Sequence, residues 1–524
     1  GQPASLRSDD GAAAIVVARV TGTEPEQEER TALVIEEVVG TGESIEVTAG
    51  GEAAVFEAIG ATLEEDLVLA EMIAIPLTLL LLVIIFRGVV AALLPLAVGV
   101  TSIFGAFFVL WLVAGLTDVS VFSINLVTAL GLGLAIDYSL FIVSRFREEL
   151  AAGHDPDEAV VRTVETAGRT VTFSALTVGV SLASLLVFPL YFLRSFAYAG
   201  VGVILVAMAA SVVMLPAILA VLGHGVNRWS VGRRPATVTG AASNIWARLG
   251  RRVLARPGMV AAVTIAVLVF AGLPFLSVQF GNPDARSLPE GNEARVATER
   301  LTTEFSSNEA DAFAIVVPEG AELDALEDYA LTVSTIDDIG RVDTVTGSYV
   351  DGVLVAEPGP ASAQYAPEPG AAWLSVVPEF TPMSSLGEDR IDDIRNLDAP
   401  FETVVGGATA QLIDTRSAIF SMAPVAAVWI VLATFVLLFL MFGSVLVPVK
   451  AIVLNTLSLT ATFGAMVWIF QDGNLSGLLD FTATGLTDVS MPILMFAVAF
   501  GRSMDYEVFL LSRMKEEYVR SGDN

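Results

Sequence analysis

Nine stretches of this chain are apolar enough, and long enough, to cross a bilayer core, which takes about 20 residues of helix. They run roughly over 69–86, 89–113, 119–143, 171–193, 196–222, 259–280, 423–442, 445–470 and 489–511. The composition agrees: 54% of the residues are hydrophobic and the mean hydropathy is +0.69, too apolar for an ordinary soluble chain. The expected fold is therefore a polytopic α-helical membrane protein.

Charge orients the spans. The segment 223–258 holds seven arginines (Arg228, Arg233, Arg234, Arg248, Arg251, Arg252 and Arg256) and no acidic residue, which makes it cytoplasmic by the positive-inside rule. Counting outward, the connections near Arg87, 144–170, Lys450 and 512–524 fall on the same side, and each carries Lys or Arg. Residues 1–67 and 281–415 then share the opposite side, with 15 acidic against 3 basic residues and 26 against 6. These acidic charges are dispersed, as on a solvated surface, rather than clustered to attract cations.

The two outer regions read as α+β. In the first, 12–20 and 44–48 are predicted strands flanking an acidic helix over 24–39. In the second, strand 312–317, helix 321–337, strands 343–355 and 372–378, helix 384–396 and strand 402–406 follow the β-α-β-β-α-β order of ferredoxin-like domains. Within the 144–170 loop, Asp155 and Pro156 mark a helix start and Gly168 a stop, which predicts a short helix beside the membrane. There is no cysteine, and the two histidines lie in polar connections, so thiolate and His-rich metal sites are excluded. A net charge of −30 argues against nucleic acid as a partner.

One stretch occurs twice. Gly133-Leu134-Ala135-Ile136-Asp137-Tyr138 runs on to Phe141 and Ser144-Arg145, and Gly501-Arg502-Ser503-Met504-Asp505-Tyr506 runs on to Phe509 and Ser512-Arg513. Gly115-Leu116-Thr117-Asp118-Val119-Ser120 likewise recurs as Gly485-Leu486-Thr487-Asp488-Val489-Ser490, and Gly50-Gly51 as Gly406-Gly407. Asp118 and Asp488, at the outer ends of spans, read as helix caps. The copies share one orientation, a parallel repeat of the kind that builds transporters. The repeat predicts a twelve-span protein of two six-span halves, of which this chain is a fragment. It divides into a partial outer domain (1–67), spans two to six (68–222), a basic linker (223–258), span seven (259–280), a second outer domain (281–420) and spans eight to ten (421–524).

The segments GLAIDYSLFIVSRFREEL at 133–150, GRTVTFSA at 168–175 and FGRSMDYEVFLLSRMKEE at 500–517 are similar to those of the MMPL family, the mycobacterial membrane protein large family. With outer domains after the first and seventh spans, the arrangement resembles the resistance-nodulation-division (RND) superfamily. The resemblance implies a proton-driven exporter of lipids or other hydrophobic molecules in the bacterial inner membrane, with ferredoxin-like porter domains outside. It implies protons as the coupling ion, no other cofactor, and accessory proteins of the cell envelope as possible partners. It places proton-relay pairs on Asp137 with Tyr138 and on Asp505 with Tyr506, and an aromatic one turn on at Phe141 and Phe509.

The chemistry is coherent with that role. A charged Asp in a span is costly, about 2.5–3.5 kcal/mol on insertion scales, and burial favours the neutral acid, so such a carboxyl can take up and release a proton. Tyr can donate to the carboxylate of a partner helix. Gly133 and Gly501, one turn before each Asp, are expected to let the two helices approach. Arg502 breaks the repeat, where the first copy has Leu134; it could pair with Asp505 or face another helix. Thr172, Ser174, Thr177, Ser181 and Ser184 in the fourth stretch read as packing hydroxyls or as the lining of a polar path. Multidrug efflux, a sterol-sensing or receptor-like protein and an intramembrane aspartyl protease are the competing readings.

Overall fold

A computed structural model describes residues 7–18, 20, 22, 24–41, 45–229, 241–305 and 311–521. Arg233 and Arg234 of the basic linker lie outside them. The chain divides into two compact units: residues 1–63, 279–417 and 470–489 in one, and 64–278, 418–469 and 490–524 in the other.

The larger unit is built from long helices. Among the described residues, eight helices are long and apolar enough to span a membrane: α1 (Glu52–Phe86), α2 (Val89–Ala114), α3 (Ser123–Ala151), α4 (Pro156–Val187), α5 (Tyr191–Asn227), α6 (Pro257–Ser277), α7 (Ala408–Phe442) and α8 (Leu446–Gln471). The ninth predicted span is α9 (Met491–Ser521), also helical; Arg502, Asp505 and Glu507 set it apart from the others. The protein is a multi-pass membrane protein. Large side chains such as Ile73, Leu80 and Ile84 on α1 or Val263 and Phe270 on α6 stay exposed, the surface expected against lipid rather than water.

The bundle is densest around α3, whose Leu134, Ala135, Tyr138, Ile142 and Phe146 are fully buried. Helices α2, α4 and α5 pack beside it, α5 also against α2 and α4, while α9 packs on α4 and α8. Helix α4 corrects one expectation. Asp155 does cap its start, accepting from the Glu158 N–H at 2.9 Å, but Gly168 does not stop it. A π-helical turn over Val164–Gly168 absorbs the irregularity and the helix runs on into the span. Asp118 is not a cap, since α3 begins at Ser123; Asp488 sits in a short strand, Thr487–Asp488, paired with Phe280–Gly281 and three residues before α9.

The smaller unit holds a six-stranded antiparallel sheet of β1 (Phe313–Val317), β2 (Ile339–Thr344), β3 (Gly347–Val350), β4 (Val353–Ala356), β5 (Ala372–Pro378) and β6 (Val404–Val405), in the order β4-β3-β2-β5-β1-β6. The four strands β6-β1-β5-β2, with the helices Leu323–Val333 and Ser385–Arg395, reproduce the ferredoxin-like order. Ile315, Leu374, Val376, Leu326, Ile391 and Ile394 form its core. The predicted single strand over 343–355 is instead the end of β2 and a hairpin, because Asp351 and Gly352 both take positive φ, the geometry of a tight Asp-Gly turn. The repeated glycine pair has a steric reason: Gly51 and Gly407 lie at φ 90 and 99 just before helices of 35 residues, and a Cβ on Gly407 would fall 2.5 Å from that of Phe313.

In the first outer region the helix Glu24–Val38 forms as read, followed by the short pair Gly40–Thr41 and Glu46–Val47. The strand expected over 12–20 does not form among the described residues. A strand needs a ladder partner, and here only the Arg7–Ala14 bridge is made while Val16 and Val17 stay exposed.

Candidate proton-relay site

On α3, Gly133, Asp137, Phe141, Arg145 and Glu148 follow one another at spacings of four, four, four and three, which lays them in one stripe along the helix. On α9 the same spacing places Gly501, Asp505, Phe509, Arg513 and Glu516 in a second stripe. The two backbones stay apart along nearly all their length, so the helices meet through these side chains.

The contacts are reciprocal. The Tyr506 hydroxyl donates to Asp137 Oδ2 at 3.1 Å, and the Tyr138 hydroxyl donates to Asp505 Oδ2 at 3.4 Å. Phe141 and Phe509 face each other with ring centroids 4.8 Å apart. Below them Arg145 reaches Glu516 at 3.1 Å and Arg513 reaches Glu148 at 3.0 Å. Each of these contacts is answered by the same contact with the copies exchanged, as across a local twofold axis.

The environments of the two carboxylates nevertheless differ. Asp505 is 5% exposed and is held by hydroxyls alone: Tyr138, itself fully buried, and the Ser174 hydroxyl on α4, which donates to Oδ1 at 2.6 Å. Asp137 has 28% of its side chain exposed and is held by a charge, the Arg502 guanidinium at 2.8 Å. That same nitrogen also donates to the Tyr506 oxygen at 3.2 Å. Arg502 therefore crosses to the opposite copy instead of pairing with Asp505, because a residue three positions before Asp505 with a long side chain reaches the open space left by Gly133. A Cβ on Gly133 would lie 3.1 Å from the Arg502 guanidinium.

This revises the role expected of the glycines. Gly133 makes room for Arg502. Gly501 faces α4, where a Cβ would meet Val178 Cα at 3.1 Å and Ser181 Cβ at 3.3 Å. The close helix pair is α9 with α4, not α9 with α3.

Helix α4 supplies the site residue that motif reading left among the packing hydroxyls. Thr170, Ser174 and Ser181 fall on one face; Thr170 bonds Ser512 at 3.2 Å and Ser181 donates to the Ala497 carbonyl at 2.7 Å. Their spacing of four and seven was the available signal, since it marks one stripe of a helix. On the other flank of α9, Ser503 bonds Asn455 of α8, which is buried and also lies 3.1 Å from Met504 Sδ. Among the described residues no group of three or more His, Asp or Glu is placed to hold a metal ion.

A buried carboxyl between two hydroxyls can exist in either protonation state, accepting from both when ionised and donating to one when neutral. The residues around it match a known family model, that of the MMPL family, over residues 3–260 and 286–524. The chain belongs to the MMPL family. Among MMPL relatives, a membrane protein of Streptomyces coelicolor is 38% identical over 468 residues, covering 89% of this chain and 62% of that protein. The trehalose monomycolate exporter MmpL3 of Mycolicibacterium smegmatis is 35% identical over 493 residues, 88% of this chain and 47% of the exporter. The heme uptake protein MmpL11 of Mycobacterium tuberculosis is 30% identical over 481 residues, 90% of this chain and 48% of that protein. This MMPL chain thus spans roughly half to three-fifths of the length of these relatives. Its fold is shared with the hedgehog release protein Disp of the water bear Hypsibius dujardini, at a TM-score of 0.58, 13% identity and coverage of 85% of this chain and 60% of that one.

Proposed function

We propose that the protein to which this chain belongs is a proton-driven exporter of lipids or related hydrophobic molecules in the bacterial inner membrane. The observation that carries the reading is the crossed pairing of Tyr138 with Asp505 and Tyr506 with Asp137 between two long helices of the bundle. Buried ionisable groups are costly inside a membrane and belong to ion pathways more often than to scaffolds. Protonation of Asp505 alters what its carboxyl can accept from Tyr138 and Ser174, and so changes how α9 is held by α3 and α4. A proton entering down the membrane potential supplies about 2.3 kcal/mol per 100 mV to drive such a change.

The relatives support the cargo class. MmpL3, named for exporting trehalose monomycolate, supports a lipid or hydrophobic substrate; membrane lipid is the surrounding partner and the proton the coupling ligand of the proposed exporter. The acidic outer regions belong on the extracytoplasmic side and the basic linker on the cytoplasmic side. An aspartyl protease is disfavoured because each carboxylate is engaged by the other copy's tyrosine, by Ser174 or by Arg502, and not by the second carboxylate.

The test is transport by the full-length protein in sealed vesicles, with trehalose monomycolate and a fluorescent phospholipid as cargo and an imposed proton gradient. Gradient-dependent movement of either, lost in Asp505→Asn, supports the reading. Movement that ignores the gradient, or that survives Asp505→Asn, overturns it.

A further inference from the structure

The contacts between α3 and α9 exchange one for one: Asp137–Tyr506 with Asp505–Tyr138, Phe141 with Phe509, Arg145–Glu516 with Arg513–Glu148. One residue has no counterpart. Arg502 stands where the first copy has Leu134, which is fully buried and apolar. A device built to hold two equivalent carboxyls does not need this arginine. Its guanidinium carries five donors and stays protonated under all conditions relevant to a protein.

We propose that Arg502 is a fixed counter-ion that keeps Asp137 ionised, so that the paired helices carry one exchangeable proton, on Asp505, rather than two. The argument is one of local charge. With Asp137 and Asp505 both ionised, the cluster Arg502, Asp137 and Asp505 has a net charge of −1; one proton brings it to zero. A second proton would leave the half-buried guanidinium uncompensated, and a charge withdrawn from water that loses its partner is unfavourable. The first proton goes to Asp505 because that carboxyl has no cation bonded to it and is the more buried of the two.

The groups that face these carboxylates support the division. Asp137 receives Arg502 and Tyr506 from α9. Asp505 receives Tyr138 from α3 and Ser174 from α4, with Arg502 and Asp137 the charged groups close enough to act on it. From α8 the neighbour is Asn455, which bonds Ser503 and Met504 and carries no charge. The ion pairs of Arg145 and Arg513 lie two turns further along, beyond the phenylalanine pair.

The consequence for coupling rests on the exporter reading, but the charge assignment is measured without transport. Infrared difference spectra of the full protein in lipid nanodiscs, taken between acid and alkaline buffer, resolve the C=O stretch of a buried protonated carboxyl. The wild-type spectrum should contain one such band that disappears in Asp505→Asn and persists in Asp137→Asn. Arg502→Leu should add a second band, removed by the further change Asp137→Asn. Arg502→Lys, which keeps the charge, should retain the wild-type spectrum and controls for loss of fold. Loss of a wild-type band in Asp137→Asn overturns the proposal, as does an Arg502→Leu spectrum identical to wild type. One band without gradient-driven transport upholds the counter-ion and sinks the exporter; two bands with transport do the reverse.

Discussion

Asp137 and Asp505 occupy the same point of two copies of one motif, yet one is tied to a guanidinium at 2.8 Å and the other is enclosed by two hydroxyls. Their own helices are nearly alike; what differs is the surroundings. Asp505 faces α4, which offers Ser174, and Asp137 faces the gap above Gly133, which Arg502 fills. A duplicated sequence therefore does not imply duplicated chemistry, because the state of a buried carboxyl is set by the groups that replace its water.

That comparison can be broken most directly by removing each carboxyl in turn. Asp505→Asn should abolish gradient-driven transport while leaving the fold intact, read as thermal unfolding in detergent close to wild type. Asp137→Asn leaves a half-buried guanidinium without its anion and should lower stability by about 3 kcal/mol, the low end for breaking a buried pair. Adding Arg502→Leu to it should recover most of that loss. A double variant as unstable as the sum of its parts would deny that the two residues act as a pair.

The glycines should separate next. Gly501→Ala forces a methyl against the Val178 backbone and should cost about 1–3 kcal/mol, typical of overpacking. Gly133→Ala meets only the tip of Arg502, which can shift, so the same unfolding measurement should give under about 1 kcal/mol. Equal costs would mean that α9 approaches α3 as closely as it does α4.

The tyrosines sharpen the contrast further. Tyr138 is fully buried and Tyr506 is 55% exposed. Tyr138→Phe should destabilise by about 1–3 kcal/mol through the acceptor it leaves unmet on Asp505, and Tyr506→Phe by less than about 1 kcal/mol because water can replace it. The smallest effect belongs to the lower ion pairs. Arg513→Gln removes a bond to Glu148, half-exposed on both sides, and should change stability by less than about 1 kcal/mol, with the difference shrinking at high salt.

Much of this was readable along the chain. The spans follow from runs of apolar residues, and the ferredoxin-like order follows from strands Phe313–Val317 and Ala372–Pro378 alternating with amphipathic helices. The Asp-Tyr pairs announced themselves by recurring. Reading failed where two local signals conflicted or where the partner was remote. Gly168 looks like a helix stop, but a π turn carries α4 through it. The apolar run over 12–20 looks like a strand, but a strand exists only when another strand accepts its hydrogen bonds. Ser174 looked like one hydroxyl among five, since only the position of α9 selects it.

The sequence by itself determined where the apolar helices run and the stripe of Gly, Asp, Phe, Arg and Glu on each copy, because hydropathy and periodicity are properties of residues in order. It could not determine which partner each side chain of that stripe would meet. Arg502 lies on the same face as Asp505 but bonds Asp137, and Gly501 was free to serve either neighbour but meets Val178. Those outcomes depend on distances between helices far apart in sequence, and packing in three dimensions alone sets them.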